Sequence, residues 1–202
     1  VCIDNAGMGF MFSPTMHPAM RHAVGPRKEI GIRTVFNILG PMTNPAQAKW
    51  QIIGVFSPEV TEQMANVLKA LGTERAMIFH GMAGLDEIST LGETKVSELK
   101  NGEVRTYTIQ PGDVGLDTAS PEDLEAGDGG LLDNVTALLE VLDGARGPKR
   151  DIVLLNAAAA LVVAGKADDL RAGIEVAAKS IDSGAAMDAL NRFKMVTQEL
   201  AN

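Results

Sequence analysis

Trp50-Gln51-Ile52-Ile53-Gly54-Val55-Phe56, then Ser57-Pro58-Glu59, and after a helical interval Arg75-Ala76-Met77-Ile78-Phe79-His80, are the stretches on which the fold turns. The first run is rich in β-branched and aromatic residues and reads as a strand. Ser57 suits the cap of a helix and Pro58 its first position, where the missing proline N–H would have had no partner anyway. Val60, Met64, Val67, Leu68 and Leu71 then share one face at helical spacing, and Gly72 suits the helix end. The third run reads as a second strand. Strand, helix, strand in so short a span is a βαβ unit with parallel pairing.

Working outward, residues 94–99 and 103–109 flank Lys100-Asn101-Gly102, and Asn-Gly between two such runs predicts a hairpin. Ser120-Pro121-Glu122-Asp123 resembles a helix start. Residues 131–142, 151–163, 167–181 and 185–200 read as helices, with Gly147-Pro148, Gly165 and Gly184 as punctuation. Upstream, residues 15–30 read as two short helices meeting near Gly25-Pro26, and 34–39 as another, closed by Gly40-Pro41 and Asn44-Pro45. The expected architecture is α/β: a mixed, largely parallel sheet flanked by helices, with an antiparallel hairpin.

The 202 residues are 46% hydrophobic and 22% charged, the balance of a globular chain rather than a disordered one. Lys and Arg number 18 against 26 Asp and Glu, a net charge of -8, so no general field draws the protein to nucleic acid or an anionic membrane. Any anionic ligand must be held locally. The single cysteine, Cys2, cannot form an intramolecular disulfide, and no signal peptide is legible, which makes a cytoplasmic location the expectation. The most apolar stretch, residues 152–163, is interrupted by Asn156 and falls short of the ~20 residues a membrane span needs, so it is expected to be a buried helix. The chain opens on Val1 without a cap or tag, and is expected to start mid-protein.

Asp86-Glu87 follows His80-Gly81-Met82-Ala83-Gly84-Leu85, directly after a predicted strand. Open α/β sheets place their ligands at the carboxyl ends of parallel strands, and Mg²⁺ is held by one or two carboxylates together with substrate phosphates. On spacing alone, an acidic dipeptide reads more often as a solvated turn. His17, Arg21, His22, Arg27, Lys28 and Arg33 form a second constellation, in which arginine's planar fork suits a carboxylate or phosphate, although such cations equally cap helices or pair with Glu29. No nucleophile elbow, dinucleotide loop or P-loop sequence occurs.

The run Gly9-Phe10-Met11-Phe12-Ser13-Pro14, with His17-Pro18-Ala19-Met20 and residues 27–45, resembles the signature region of the anthranilate phosphoribosyltransferases. His80-Gly81 with Gly84-Leu85-Asp86-Glu87 resembles their metal-binding stretch, and the likeness extends through Asn156-Ala157-Ala158. The resemblance implies transfer of the phosphoribosyl group of phosphoribosyl pyrophosphate to the amino group of anthranilate, a step of tryptophan biosynthesis. It further implies that Arg27 orients the anthranilate carboxylate, that Pro14, His17 and Met20 line the anthranilate channel, and that Asp86 and Glu87 hold Mg²⁺ against the pyrophosphate. No residue is assigned a catalytic proton or nucleophile.

Two departures accompany the likeness. The family's N-terminal helical domain, glycine-rich pyrophosphate loop and Lys-His-Gly-Asn-like stretch do not occur here, so residues 1–202 are expected to be one α/β domain, the later part of a larger phosphoribosyl-transfer domain, inactive by itself. Ala83 stands where the family often has an acidic residue. The intact enzyme is expected to be a homodimer that binds small molecules, with neither nucleic acid nor membrane as partner. Two other readings remain: a pyrimidine nucleoside phosphorylase of the same fold, and a non-catalytic binding domain.

Overall fold

The computed structural model describes residues 1–16, 25, 29, 31, 40, 42–44 and 46–201. Short helices Cys2–Ala6 and Ser13–Met16 precede strand β1, Trp50–Gly54, the helix Val60–Ala70 and strand β2, Arg75–Gly81. Strands β3, Thr94–Lys100, and β4, Glu103–Ile109, follow, then a 3₁₀ turn Pro111–Val114 and helices Pro121–Leu124, Leu131–Leu142, Pro148–Val163, Leu170–Asp182 and Ala185–Ala201. Of the short helices read over residues 15–30 and 34–39, all but residues 15, 16, 25 and 29 lie outside the described residues.

The βαβ unit forms as expected, with Ile52 beside Met77 and Gly54 beside Phe79 in parallel register. The sheet runs β1-β2-β3-β4 and is mixed, but its proportions differ from the expectation of a largely parallel one: β2 with β3 and β3 with β4 are antiparallel. Residues 82–93 hold no helix, and a parallel return needs a crossover, so β3 comes straight back along β2. At the hairpin, Asn101 and Gly102 take φ of 54° and 76°, the pair of positive values that a two-residue turn matched to strand twist requires.

Each face of the sheet is covered. On one, Ile53, Ala76, Ile78 and Leu99 pack against Met64, Ala65 and Leu68 of the 60–70 helix. On the other, Met77, Phe79 and Val96 pack against Ile88 and against Leu155, Ala159 and Val162 of the 148–163 helix. That helix is buried as expected and begins earlier than expected, with Pro148 in its first turn.

The buried stripe of the 60–70 helix is Thr61, Met64, Ala65 and Leu68, whereas Val67 and Leu71 are exposed. Thr61 is admitted to the interior because its hydroxyl donates to the Pro58 carbonyl and accepts from Ser97 Oγ. Ser57 does not cap this helix; its hydroxyl goes to the Glu59 carboxylate, and the helix starts at Val60. Likewise the expected start at Ala167 moves to Leu170, where Asp169 accepts the Ala172 N–H.

Tyr107, the single tyrosine, donates to Glu98 from the sheet face. Burial pushes its phenol well above the ordinary range, and the Glu98 charge and hydrogen bond add to the shift. A raised folded-state value gives stability that is present below the ordinary pKa and lost as pH rises through the folded one. An ultraviolet titration is therefore expected to show no tyrosinate near pH ~10, with the signal arriving only as the fold fails at higher pH. A simple titration centred near ~10 would show the phenol to be in water instead.

Candidate functional site

The carboxyl ends of β1 and β2 are adjacent, and the segment after β2 folds back over them. Gly81 N–H donates to the Leu85 carbonyl at 2.8 Å, closing a tight loop whose Gly84 has a φ of 99°. The chain then passes over β1 so closely that a Cβ on Gly54 would sit 1.6 Å from the Asp86 carbonyl oxygen. A Cβ on Gly81 would sit 2.8 Å from Ser89 Cβ and 3.1 Å from the Glu87 carbonyl oxygen. Both strand ends therefore carry glycine because the acidic loop occupies the space a side chain would need. The backbone of Asp86 and Glu87 thus lies across the mouth of the parallel pair, the position where α/β sheets bind ligands.

Beyond Glu87 the loop is tied down on both sides. Ile88 N–H donates to Asn156 Oδ1 at 3.0 Å, and Asn156 Nδ2 donates to the Ile88 carbonyl at 2.9 Å. Ser89 N–H donates to Thr94 Oγ1, and Leu91 N–H to Ser89 Oγ. Ile88, Ser89 and Thr90 are buried, while Asp86 and Glu87 face outward.

The carboxyl of Glu87 is held above the ordinary carboxylate range, first by partial desolvation and then by the charge of Asp86. Leu85 and Glu87 form one wall of a largely apolar cleft of about 500 Å³, completed by Leu124, Leu138, Val141 and Ile152. Two neighbouring carboxylates are a donor set that suits a divalent cation. Among the described residues no group of three or more His, Cys, Asp or Glu is placed to hold a metal. Among those residues the pair stands as two carboxylates without a further ligand, a set that suits Mg²⁺, which takes one or two carboxylates and leaves its other positions to phosphate and water.

His80, adjacent to this loop in sequence, is buried in the sheet with Nδ1 on the Val55 carbonyl at 2.7 Å, and serves to tie β2 to the chain leaving β1. Lys95 is its neighbour across the sheet on β3. The Glu59 carboxyl is held below its usual range, chiefly by the Ser57 hydroxyl, with smaller contributions from Lys95 and His80. The sequence reading missed the parts of Asn156 and Gly54. Asn156 left a signal, as the one polar residue interrupting the 152–163 apolar run.

Of the residues expected to bind anthranilate, His17, Met20 and Arg27 lie outside the described residues. Pro14 lies in the Ser13–Met16 helix.

The profile of a glycosyl transferase family, the a/b domain, matches residues 1–187. The chain belongs to this family. Among the similar members is an anthranilate phosphoribosyltransferase of Acetivibrio thermocellus, 53% identical over 192 residues, which make up 95% of this chain and 55% of that relative. The crystal structure of anthranilate phosphoribosyltransferase from Thermus thermophilus superposes with a TM-score of 0.85 at 40% identity, covering 98% of this chain and 57% of that one. The Saccharomyces cerevisiae enzyme in complex with PRPP and Mg superposes at 0.76 with 31% identity, covering 88% of this chain and 51% of that one. The glycosyl transferase domain described here thus spans about half the length of the relatives it matches. Among its described residues no helix is long and apolar enough to cross a membrane.

Proposed function

We propose that the protein carrying this sequence transfers the phosphoribosyl group of phosphoribosyl pyrophosphate to the amino group of anthranilate. The observation that supports this reading most is the Asp86-Glu87 pair, presented at the mouth of β1 and β2 by a loop for which Gly54 and Gly81 leave room. The similar proteins are named for this activity, and one of them was solved with PRPP and Mg. In the proposed reaction the anthranilate nitrogen forms a bond to the ribose anomeric carbon, the bond from that carbon to pyrophosphate oxygen breaks, and the amine gives up a proton. An aromatic amine is already a nucleophile at neutral pH, so the protein has mainly to orient it and to accommodate the departing charge.

In this reading Asp86 and Glu87 hold Mg²⁺, which when bound neutralises charge on the leaving pyrophosphate. Arg27 orients the anthranilate carboxylate through its planar fork, and Pro14, His17 and Met20 line the channel. Residues 1–202 act as one α/β domain within a larger phosphoribosyl-transfer unit, and the intact enzyme is a cytoplasmic homodimer.

The test assays the protein with anthranilate, phosphoribosyl pyrophosphate and Mg²⁺, and in parallel with thymidine and phosphate. Formation of phosphoribosyl anthranilate that stops on chelation is expected; phosphorolysis of thymidine would replace this reading with a nucleoside phosphorylase. Arg27→Ala is expected to raise the KM for anthranilate far more than that for phosphoribosyl pyrophosphate. A charge-assisted hydrogen bond contributes ~1.5–3 kcal/mol, one to two decades of affinity. Equal losses for both substrates would place Arg27 outside the anthranilate site.

A further inference from the structure

The 148–163 helix is apolar where it meets the sheet, with Leu155, Ala159, Val162 and Val163 buried against it. One turn of it presents an amide instead. The half-buried Asn156 Oδ1 accepts the Ile88 N–H at 3.0 Å, and its Nδ2 donates to the Ile88 carbonyl at 2.9 Å. Nδ2 also donates to the Ile152 carbonyl of its own helix at 2.9 Å, which fixes the rotamer. Both backbone groups of Ile88 are thus satisfied by one side chain, in place of a neighbouring strand.

The position of this clamp matters more than its existence. The loop is pinned before the acidic pair where the Leu85 carbonyl accepts the Gly81 N–H, and after it at Ile88. Asp86 and Glu87 are the two residues between those anchors, so their backbone directions follow from them. Ile88 is also packed among Met77, Phe79 and Leu155, contacts that persist if the amide is removed. Losing the clamp should therefore free the Glu87 backbone without unseating the loop from the core.

We infer that Asn156 is a positioning residue for the Asp86 and Glu87 carboxylates: through the Ile88 backbone it sets the geometry in which the pair receives a divalent cation. This rests on the metal reading of the pair given above. Outer partners that orient metal-ligating side chains commonly contribute 10–100-fold to metal affinity.

The experiment measures Mn²⁺ binding in the presence of inorganic pyrophosphate by electron paramagnetic resonance, beside Tm, for the wild-type protein, Asn156→Ala, Asn156→Gln, and Asp86→Asn with Glu87→Gln. Glutamine keeps the amide and suits a helix, but its extra methylene displaces the two contacts. Both Asn156 variants are expected to weaken Mn²⁺ binding by about tenfold or more, with the Gln variant's Tm near that of the wild type, and the double variant to abolish binding. Wild-type Mn²⁺ affinity in both Asn156 variants, with binding abolished in the double variant, would overturn the inference alone. Binding that survives in the double variant would overturn the metal reading and the inference with it. Should the Asn156 variants fail to fold, amide exchange of wild-type Ile88 decides: added Mn²⁺ and pyrophosphate are expected to slow it, and an unchanged rate overturns the inference.

Discussion

Asp86→Asn combined with Glu87→Gln is expected to reduce turnover by at least about a thousandfold, equivalent to ~4 kcal/mol of transition-state stabilisation, while leaving the fold intact. The two carboxylates face outward and make no ion pair among the described residues, so neutralising them breaks no ion pair there. For Glu87, whose carboxyl is held above the ordinary range, ionisation in the folded chain costs stability. Its folded-state value is raised by partial desolvation and by the charge of Asp86, so its stabilising contribution is present below the ordinary glutamate pKa and lost as pH rises through the raised value. The double variant should therefore have a Tm at pH ~7 equal to or above that of the wild type, with the difference closing near pH ~4 as the native carboxylates protonate. Calorimetry at the two pH values, beside the turnover assay, checks both halves. A Tm well below the wild type at neutral pH would show the pair to be structural, whatever happens to turnover.

Gly54→Ala should act on the same loop by a different route. The added Cβ would lie 1.6 Å from the Asp86 carbonyl oxygen and 2.5 Å from its carbonyl carbon, so the loop or the strand end must move. Both are backbone and neither can rotate away. Overpacking of a tight site costs roughly 1–3 kcal/mol, and at the upper end the Tm of a chain this size falls by roughly 5–10 °C. The displaced carboxylates should lose Mn²⁺ affinity as well, a joint loss that separates this variant from the previous one, where binding goes and stability stays. Gly81→Ala, facing Ser89 Cβ at 2.8 Å and the Glu87 carbonyl at 3.1 Å, should be milder. Unchanged stability and Mn²⁺ binding in Gly54→Ala would show that the loop does not run over β1.

What could be read from the chain alone was local. The strand, helix and strand between Trp50 and Gly81, the positive-φ turn at Asn101-Gly102 and the Ser120 capping box with Asp123 each depend on residues a few positions apart. Their chemistry is complete within one segment. The acidic dipeptide after a strand was legible too, as residue types at a position, though spacing alone could not tell a site from a solvated turn. Only the tertiary structure decided which way β3 returns, and it made Thr61 rather than Val67 a core position by supplying Ser97 as its hydroxyl partner. It also decided that Gly54 must be glycine, because the obstructing atom belongs to Asp86 in another segment. Asn156 shows the same limit most clearly. Its partner Ile88 lies 68 positions away, and a polar residue in an apolar helix announces that it needs a partner without saying which one.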